Sequence, residues 1–107
     1  MKYELVQSNQ EDNTSIFYFN GFDDWKDFIT IINIINRFIK PDEINYKGMT
    51  DMNGYFVKDG LYISIEYDEM IGNYMVYKYE KSSVHTLDTV SKWAKLVFTR
   101  MKDGLTN

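Results

Sequence analysis

Residues 53–68 read Asn-Gly-Tyr-Phe-Val-Lys-Asp-Gly-Leu-Tyr-Ile-Ser-Ile-Glu-Tyr-Asp, and this stretch indicates the fold class. Its second half alternates between two sets of side chains, Leu61, Ile63, Ile65 and Tyr67 in one and Tyr62, Ser64, Glu66 and Asp68 in the other. Such alternation is typical of an antiparallel strand that buries one face and exposes the other. Asn53-Gly54 and Asp59-Gly60 have the composition of type I′ hairpin turns. The stretch therefore predicts consecutive antiparallel strands joined by tight turns.

Further strands and two helices surround this stretch. Short apolar or alternating runs predict strands at residues 3–7, 16–19, 45–51, 55–58, 61–68 and 73–80. A first helix is expected to begin after an N-cap at Asp23 and to end before Pro41. A second helix is expected to begin after an N-cap at Thr86. The order ββ-α-ββββ-α predicts a single α+β domain over residues 1–107, with both helices packed on one face of an antiparallel sheet.

The apolar arc of the first helix is wider than one sheet needs. Its main stripe contains Trp25, Phe28, Ile29, Ile32, Ile35 and Ile39. Ile31, Ile34 and Phe38 lie outside that stripe and widen the apolar arc to roughly 220°. We expect Ile34 and Phe38 to be covered either by residues 41–50 or by a second copy of the chain, which makes a homodimer through Ile31, Ile34 and Phe38 possible. The amphipathic pattern also predicts that Trp25 and Trp93 are both largely buried.

Composition excludes several classes of site. The 107 residues contain no cysteine and one histidine, His85, so disulfides, thiolate metal sites and sites needing two imidazoles are excluded. No apolar run reaches the roughly 18 residues that a membrane span needs, and the first residues lack the apolar region of a signal peptide. We therefore expect a cytoplasmic location without membrane association.

No catalytic or cofactor motif is recognisable. Glu66, Asp68 and Glu69 include paired carboxylates, but no further oxygen ligands follow at a metal-binding spacing. His85 has no serine or aspartate placed to form a relay, and the glycines are isolated rather than grouped in a phosphate-binding loop. We expect no enzymatic activity, no cofactor and no metal. The net charge of −4 also disfavours nucleic acid, whose binding needs lysine and arginine against phosphate.

Tyrosines and carboxylates share one face of two predicted strands. By strand parity, Tyr62, Glu66 and Asp68 point the same way, and we place Tyr74 of the next strand beside them. Tyrosine supplies stiff amphipathic contact area, and carboxylates suit a basic partner. These four residues are the predicted partner-binding set. The alternative is an ordinary solvated strand face, because tyrosine is also a good strand residue.

In size, acidity and predicted architecture the chain resembles the immunity proteins of bacterial polymorphic-toxin and contact-dependent-inhibition systems. The resemblance implies a small bacterial α+β protein that binds a cognate toxin domain, often a basic nuclease, and occludes its active site. It further implies that carboxylates such as Glu66 and Asp68 take the place of phosphates and that tyrosines act as anchors. The alternative function is that of a small homo-oligomeric regulatory or accessory protein.

Overall fold

A computed structural model of the chain describes residues 2–48 and 52–105. Its elements are β1 (Glu4–Asn9), β2 (Thr14–Asn20), α1 (Trp25–Ile34), β3 (Glu43–Lys47), β4 (Asn53–Lys58), β5 (Leu61–Asp68), β6 (Gly72–Lys78) and α2 (Thr86–Gly104). A π-helical segment, Ile35–Ile39, continues α1, and a 3₁₀ turn, Lys81–Ser83, precedes α2. The α+β class is confirmed.

The strands form one antiparallel sheet in the order β1-β2-β6-β5-β4-β3. The meander β3-β4-β5-β6 follows the chain, and β6 then pairs with β2, so the β1–β2 hairpin completes the sheet. Between β5 and β6 the register runs from Ile63 opposite Tyr77 to Asp68 opposite Gly72. The predicted antiparallel pairing of consecutive strands is therefore confirmed.

One of the two predicted turns is wrong. Asp59 and Gly60 have φ values of 53° and 79°, as a type I′ turn between β4 and β5 requires. Asn53 and Gly54, in contrast, lie inside β4, where Gly54 pairs with both Tyr46 and Ile65. A Cβ at Gly54 would come within 2.5 Å of the carbonyl oxygen of Asn45, so this glycine allows a close approach of β3. The predicted strand at 45–51 is observed as β3, and residues 49–51 lie outside the described residues.

Asp24, rather than the predicted Asp23, is the N-cap of α1. The Asp24 side chain accepts from the backbone N–H of Lys26 at 3.0 Å, and the Asp27 side chain accepts from the Asp24 N–H at 3.1 Å. This reciprocal arrangement is a capping box. At its other end the helical segment stops at Lys40, whose φ of 55° is left-handed, directly before Pro41 as the sequence predicts.

The first helix is rotated from the predicted orientation. The residues it buries are Phe28, Ile31, Ile32, Ile35 and Ile39. This arc is centred about 40° from the predicted stripe, toward Ile31, given 100° per residue. Trp25 therefore lies at the edge of the buried arc and is 48% exposed, so its predicted burial is wrong. Trp93 is half-buried and packs against Phe56, with 6.0 Å between the ring centroids.

A side chain of the second helix covers Phe38, for which the sequence predicted a different neighbour. Arg100 of α2 lies over the ring of Phe38, 4.2 Å from guanidinium carbon to ring centroid, and Arg37 approaches the same ring at 5.1 Å. Ile34 is half-buried against the core, and Ile31 is 1% exposed. Ile31 thus offers no surface to a second copy, whereas Ile34 and Phe38 remain partly accessible.

Both helices pack on one face of the sheet and form the core with it. The α2 residues buried there are Val90, Ala94, Val97, Phe98 and Met101. They meet the inward strand residues Phe17, Phe19, Phe56, Ile63, Ile65, Met75 and Tyr77. His85, not the predicted Thr86, is the N-cap of α2, and Thr86 instead donates its hydroxyl to the Ser83 carbonyl at 2.7 Å. Within residues 2–48 and 52–105, neither helix has the combined length and apolarity that crossing a bilayer requires.

Candidate protein-binding face of the sheet

The face of the sheet opposite the helices carries no covering element among the described residues. We call it the open sheet face. Its central side chains are Ile16, Tyr18, Tyr55, Val57, Tyr62, Ser64, Glu66, Tyr74 and Val76. All are half-buried except Tyr62, which is 54% exposed. An antiparallel sheet with one face on the core and one toward solvent is common, but a face this rich in tyrosine and aliphatic residues is suited to contact with another molecule.

All four residues of the predicted partner-binding set lie on the open sheet face. Glu66 of β5 is paired directly with Tyr74 of β6, and Asp68 lies opposite Gly72. Tyr62 is on the same strand, four residues before Glu66, at a spacing of about 13 Å. The structure therefore brings Glu66, Asp68 and Tyr74 together at one end of the face and places Tyr62 toward the other.

Two further tyrosines complete aromatic pairs with this set. Tyr18 contacts Tyr74, with ring centroids 5.9 Å apart, and Tyr55 stacks on Tyr62 at 4.9 Å with 19° between the ring planes. Sequence reasoning did not assign Tyr18 or Tyr55 to the binding face. For Tyr18 the signal was present but ambiguous, because it lies in the continuous apolar run at 16–19 whose alternate members, Phe17 and Phe19, are buried.

Two aliphatic side chains, Ile16 and Val76, lie beside the Tyr18–Tyr74 pair on the open sheet face. Val76 of β6 lies between Ile16 of β2 and Ser64 of β5 in the sheet register. Val57, on β4, is paired with Tyr62. The face therefore mixes tyrosine and aliphatic side chains with the polar groups of Ser64 and Glu66, and tyrosine is enriched in this way at protein interfaces.

The open sheet face is acidic. Its strand positions carry four carboxylates and two ammonium groups, a net charge of −2 from Glu4, Glu43, Glu66, Asp68, Lys47 and Lys78. Burial raises the pKa of Glu66, and Glu66 makes no hydrogen bond or ion pair with any described residue. Burial also raises the pKa of the Tyr74 hydroxyl, with further contributions from the charges of Glu66 and Asp68. The pKa of Tyr55 is raised chiefly by its hydrogen bond with Glu43.

A cleft adjoins the Tyr62 end of the face. The β5–β6 ladder begins at Ile63, and the backbone N–H of Tyr79 instead donates to the carbonyl of Asn13 at 3.0 Å. Beyond the end of this ladder lies a cleft of about 570 Å³, whose lining includes Leu61, Tyr62, Tyr77, Lys78 and Thr86. Its lining combines Tyr62 and Lys78 of the open sheet face with residues from the helix side of the sheet, such as Tyr77 and Thr86.

The remaining titratable clusters have structural explanations. Asp24 and Asp27 form the capping box of α1, and burial, together with the charges of Asp24 and Asp23, raises the pKa of Asp27. His85 is exposed at the start of α2. Within the described part of the chain, no group of three or more histidine, cysteine, aspartate or glutamate side chains is arranged to hold a metal ion.

Comparison of the chain with protein-family models finds no match. Comparison with curated proteins and with solved structures finds none either.

Proposed function

We propose that this chain is a protein-binding module that neutralises a cognate toxin domain in the bacterial cytoplasm, and that it acts by covering the toxin's active site with the open sheet face. The observation that carries the proposal is the uncovered face itself, on which two tyrosine pairs and the aliphatic residues Ile16 and Val76 lie beside Glu66, whose carboxylate has no hydrogen-bond or ion-pair partner among the described residues. Tyrosine is among the residues that most often contribute large shares of binding energy at protein interfaces.

The charge of this face favours a basic partner. A nuclease needs lysine and arginine around its substrate groove to bind phosphate. Carboxylates such as Glu66 and Asp68 are complementary to that groove, and their field accelerates encounter with it. The same charge disfavours nucleic acid as the ligand, because phosphate repels carboxylate. A basic nuclease domain is therefore the class of toxin that this face suits best.

The test is protection from a toxin. Each C-terminal toxin domain found among the genes adjacent to this chain's gene is co-expressed with the chain, and growth and complex formation are measured. Wild type should restore growth and form a one-to-one complex. Val76→Lys places a charge beside Ile16 and Tyr74 on the face and should abolish both, whereas Thr99→Lys on the exposed side of α2 should change neither.

Two outcomes would contradict the proposal. Full protection by Val76→Lys, with the fold verified by circular dichroism, would place the interface elsewhere. Failure of the wild-type chain to bind or protect, together with self-association of the isolated chain in light scattering, would favour the homo-oligomeric alternative through Ile34 and Phe38.

A further inference from the structure

We propose that Glu66, together with the rings of Tyr74 and Tyr18, forms a subsite that receives an arginine side chain of the partner. This inference rests on the proposed function and names the chemistry recognised within the open sheet face. Tyr74 lies opposite Glu66 in the register between β5 and β6, and Tyr18 lies opposite Tyr74 in the register between β2 and β6. The three side chains therefore form one row across three adjacent strands.

The Glu66 carboxylate lacks a donor among residues 2–48 and 52–105. It is half-buried, so part of its hydration is lost, yet no described residue donates a hydrogen bond to it. Its neighbour on β4 is Asn53, whose amide makes no bond to it either. A partly desolvated carboxylate without a donor is a costly arrangement that an incoming cationic donor relieves.

Neither lysine of the face forms an ion pair with Glu66. Lys47 is in the same row as Glu66, but one strand, β4, lies between them, so their backbones are about 10 Å apart. Lys78 lies four residues from Tyr74 on β6, at a spacing of about 13 Å. Because no described residue supplies a cation to Glu66, the subsite is free to accept one from a partner.

The tyrosine rings favour a guanidinium over an ammonium. Tyr74 and Tyr18 are tilted by 41° with centroids 5.9 Å apart, so they form an aromatic wall beside the carboxylate. A planar guanidinium stacks on such rings and donates two parallel hydrogen bonds to one carboxylate. A lysine ammonium is compact and strongly hydrated, and it gains less from the same surroundings. The subsite therefore recognises arginine in preference to lysine.

The test uses a small probe and needs no partner. N-acetyl-arginine amide is titrated into the full chain, and NMR follows the side-chain carboxyl of Glu66 and the rings of Tyr18 and Tyr74. Saturable shifts at these three residues are expected, with weaker binding of the lysine analogue and none of the neutral citrulline analogue. Glu66→Gln should weaken binding by about fivefold or more, whereas Glu4→Gln, the same charge change on the same face, should leave it within about twofold.

The inference is overturned if the three resonances do not shift, or if Glu66→Gln binds the arginine probe as well as wild type. That failure is distinct from failure of the proposed function. A complex broken by Val76→Lys but unaffected by Glu66→Gln would leave the open sheet face as the toxin interface and remove only the arginine subsite.

Discussion

Glu66 keeps a half-buried carboxylate to which no described residue donates, and this arrangement makes stability depend on pH. Because burial raises its pKa above the ordinary value of 4.5 for a glutamate, the folded state binds the proton more tightly than the unfolded state does. The free energy of unfolding is therefore highest below that value and falls as pH rises through the raised pKa. We expect Glu66→Gln to remove this decline.

The expected result is a gain for Glu66→Gln that grows with pH. Relative to wild type, its free energy of unfolding should increase by about 0.5 kcal/mol between about pH 4 and pH 7, a modest value because solvent still screens this half-buried group. Urea denaturation at the two pH values measures it, with Glu4→Gln as the control. If the difference in unfolding free energy between Glu66→Gln and wild type shrinks as pH rises, the raised pKa of Glu66 is contradicted.

Asn73 is a buried link between the β5–β6 hairpin and the start of α1. It is 2% exposed, and its Nδ2 donates to the carbonyl oxygens of Phe22 at 2.8 Å and Asp24 at 3.0 Å. Asn73→Ala removes both donors and should lower the free energy of unfolding by about 2–3 kcal/mol. Asn33→Ala, at an exposed site of α1, should stay within about 0.5 kcal/mol in the same denaturation experiment. A loss below about 1 kcal/mol for Asn73→Ala would show that the link is dispensable.

The start of α1 depends on one of two neighbouring aspartates. Asp24 accepts from the Lys26 N–H and belongs to the capping box, whereas Asp23 precedes the cap. Asp24→Ala should cost about 1 kcal/mol in thermal or urea unfolding, and Asp23→Ala should cost clearly less. An equal or larger loss of stability for Asp23→Ala would identify Asp23 as the N-cap, as the sequence predicted.

Elements whose signals are local could be predicted, and those set by distant partners could not. The alternation in β5 and the Asp59-Gly60 turn depend on neighbouring residues, and both were predicted correctly. The sequence predicts a turn at Gly54. Its actual role is to allow the close approach of β3, and the local sequence does not identify that partner strand. The sequence wrongly predicts that Trp25 is buried, because helical periodicity gives the width of an apolar arc but not the rotation of the helix on the sheet.

The candidate site likewise contains residues that the local sequence places on the face and residues that only strand pairing brings there. Strand parity alone puts Tyr62, Glu66 and Asp68 on one face, since alternate residues of one strand must agree. Tyr18 and Tyr55 join that face only through the pairing of β2 with β6 and of β4 with β5. Because the sequence does not reveal that β6 lies between β2 and β5, the Tyr18–Tyr74 pair became visible only in the structure.

Across the whole molecule, the open sheet face and α2 carry net charges of opposite sign. The open sheet face has a net charge of −2 at its strand positions, while α2, on the opposite layer, has two acidic and four basic residues, a net of +2. For the basic toxin domain that we propose as the partner, we expect this separation to orient the acidic face toward it during approach. Electrostatics of this kind acts on the rate of encounter more than on the lifetime of the complex.

Charge reversal on the open sheet face should therefore slow association. In Glu66→Lys/Asp68→Lys, attraction to a basic toxin becomes repulsion, and we expect the association rate constant to fall by about tenfold or more at low salt. Wild-type association should itself slow as salt rises, because screening shortens the range of the field. Surface plasmon resonance with the captured toxin domain at two salt concentrations measures both effects.

The matched control separates this face from the net charge of the chain. Glu11→Lys/Asp12→Lys makes the same change in net charge within the β1–β2 loop, off the face, and should slow association much less. Tyr62→Ala should act differently again, mainly by raising the dissociation rate, because an aromatic anchor contributes after contact is made. If the two double variants slow association equally, the field comes from the chain as a whole, and the open sheet face has no special part in steering.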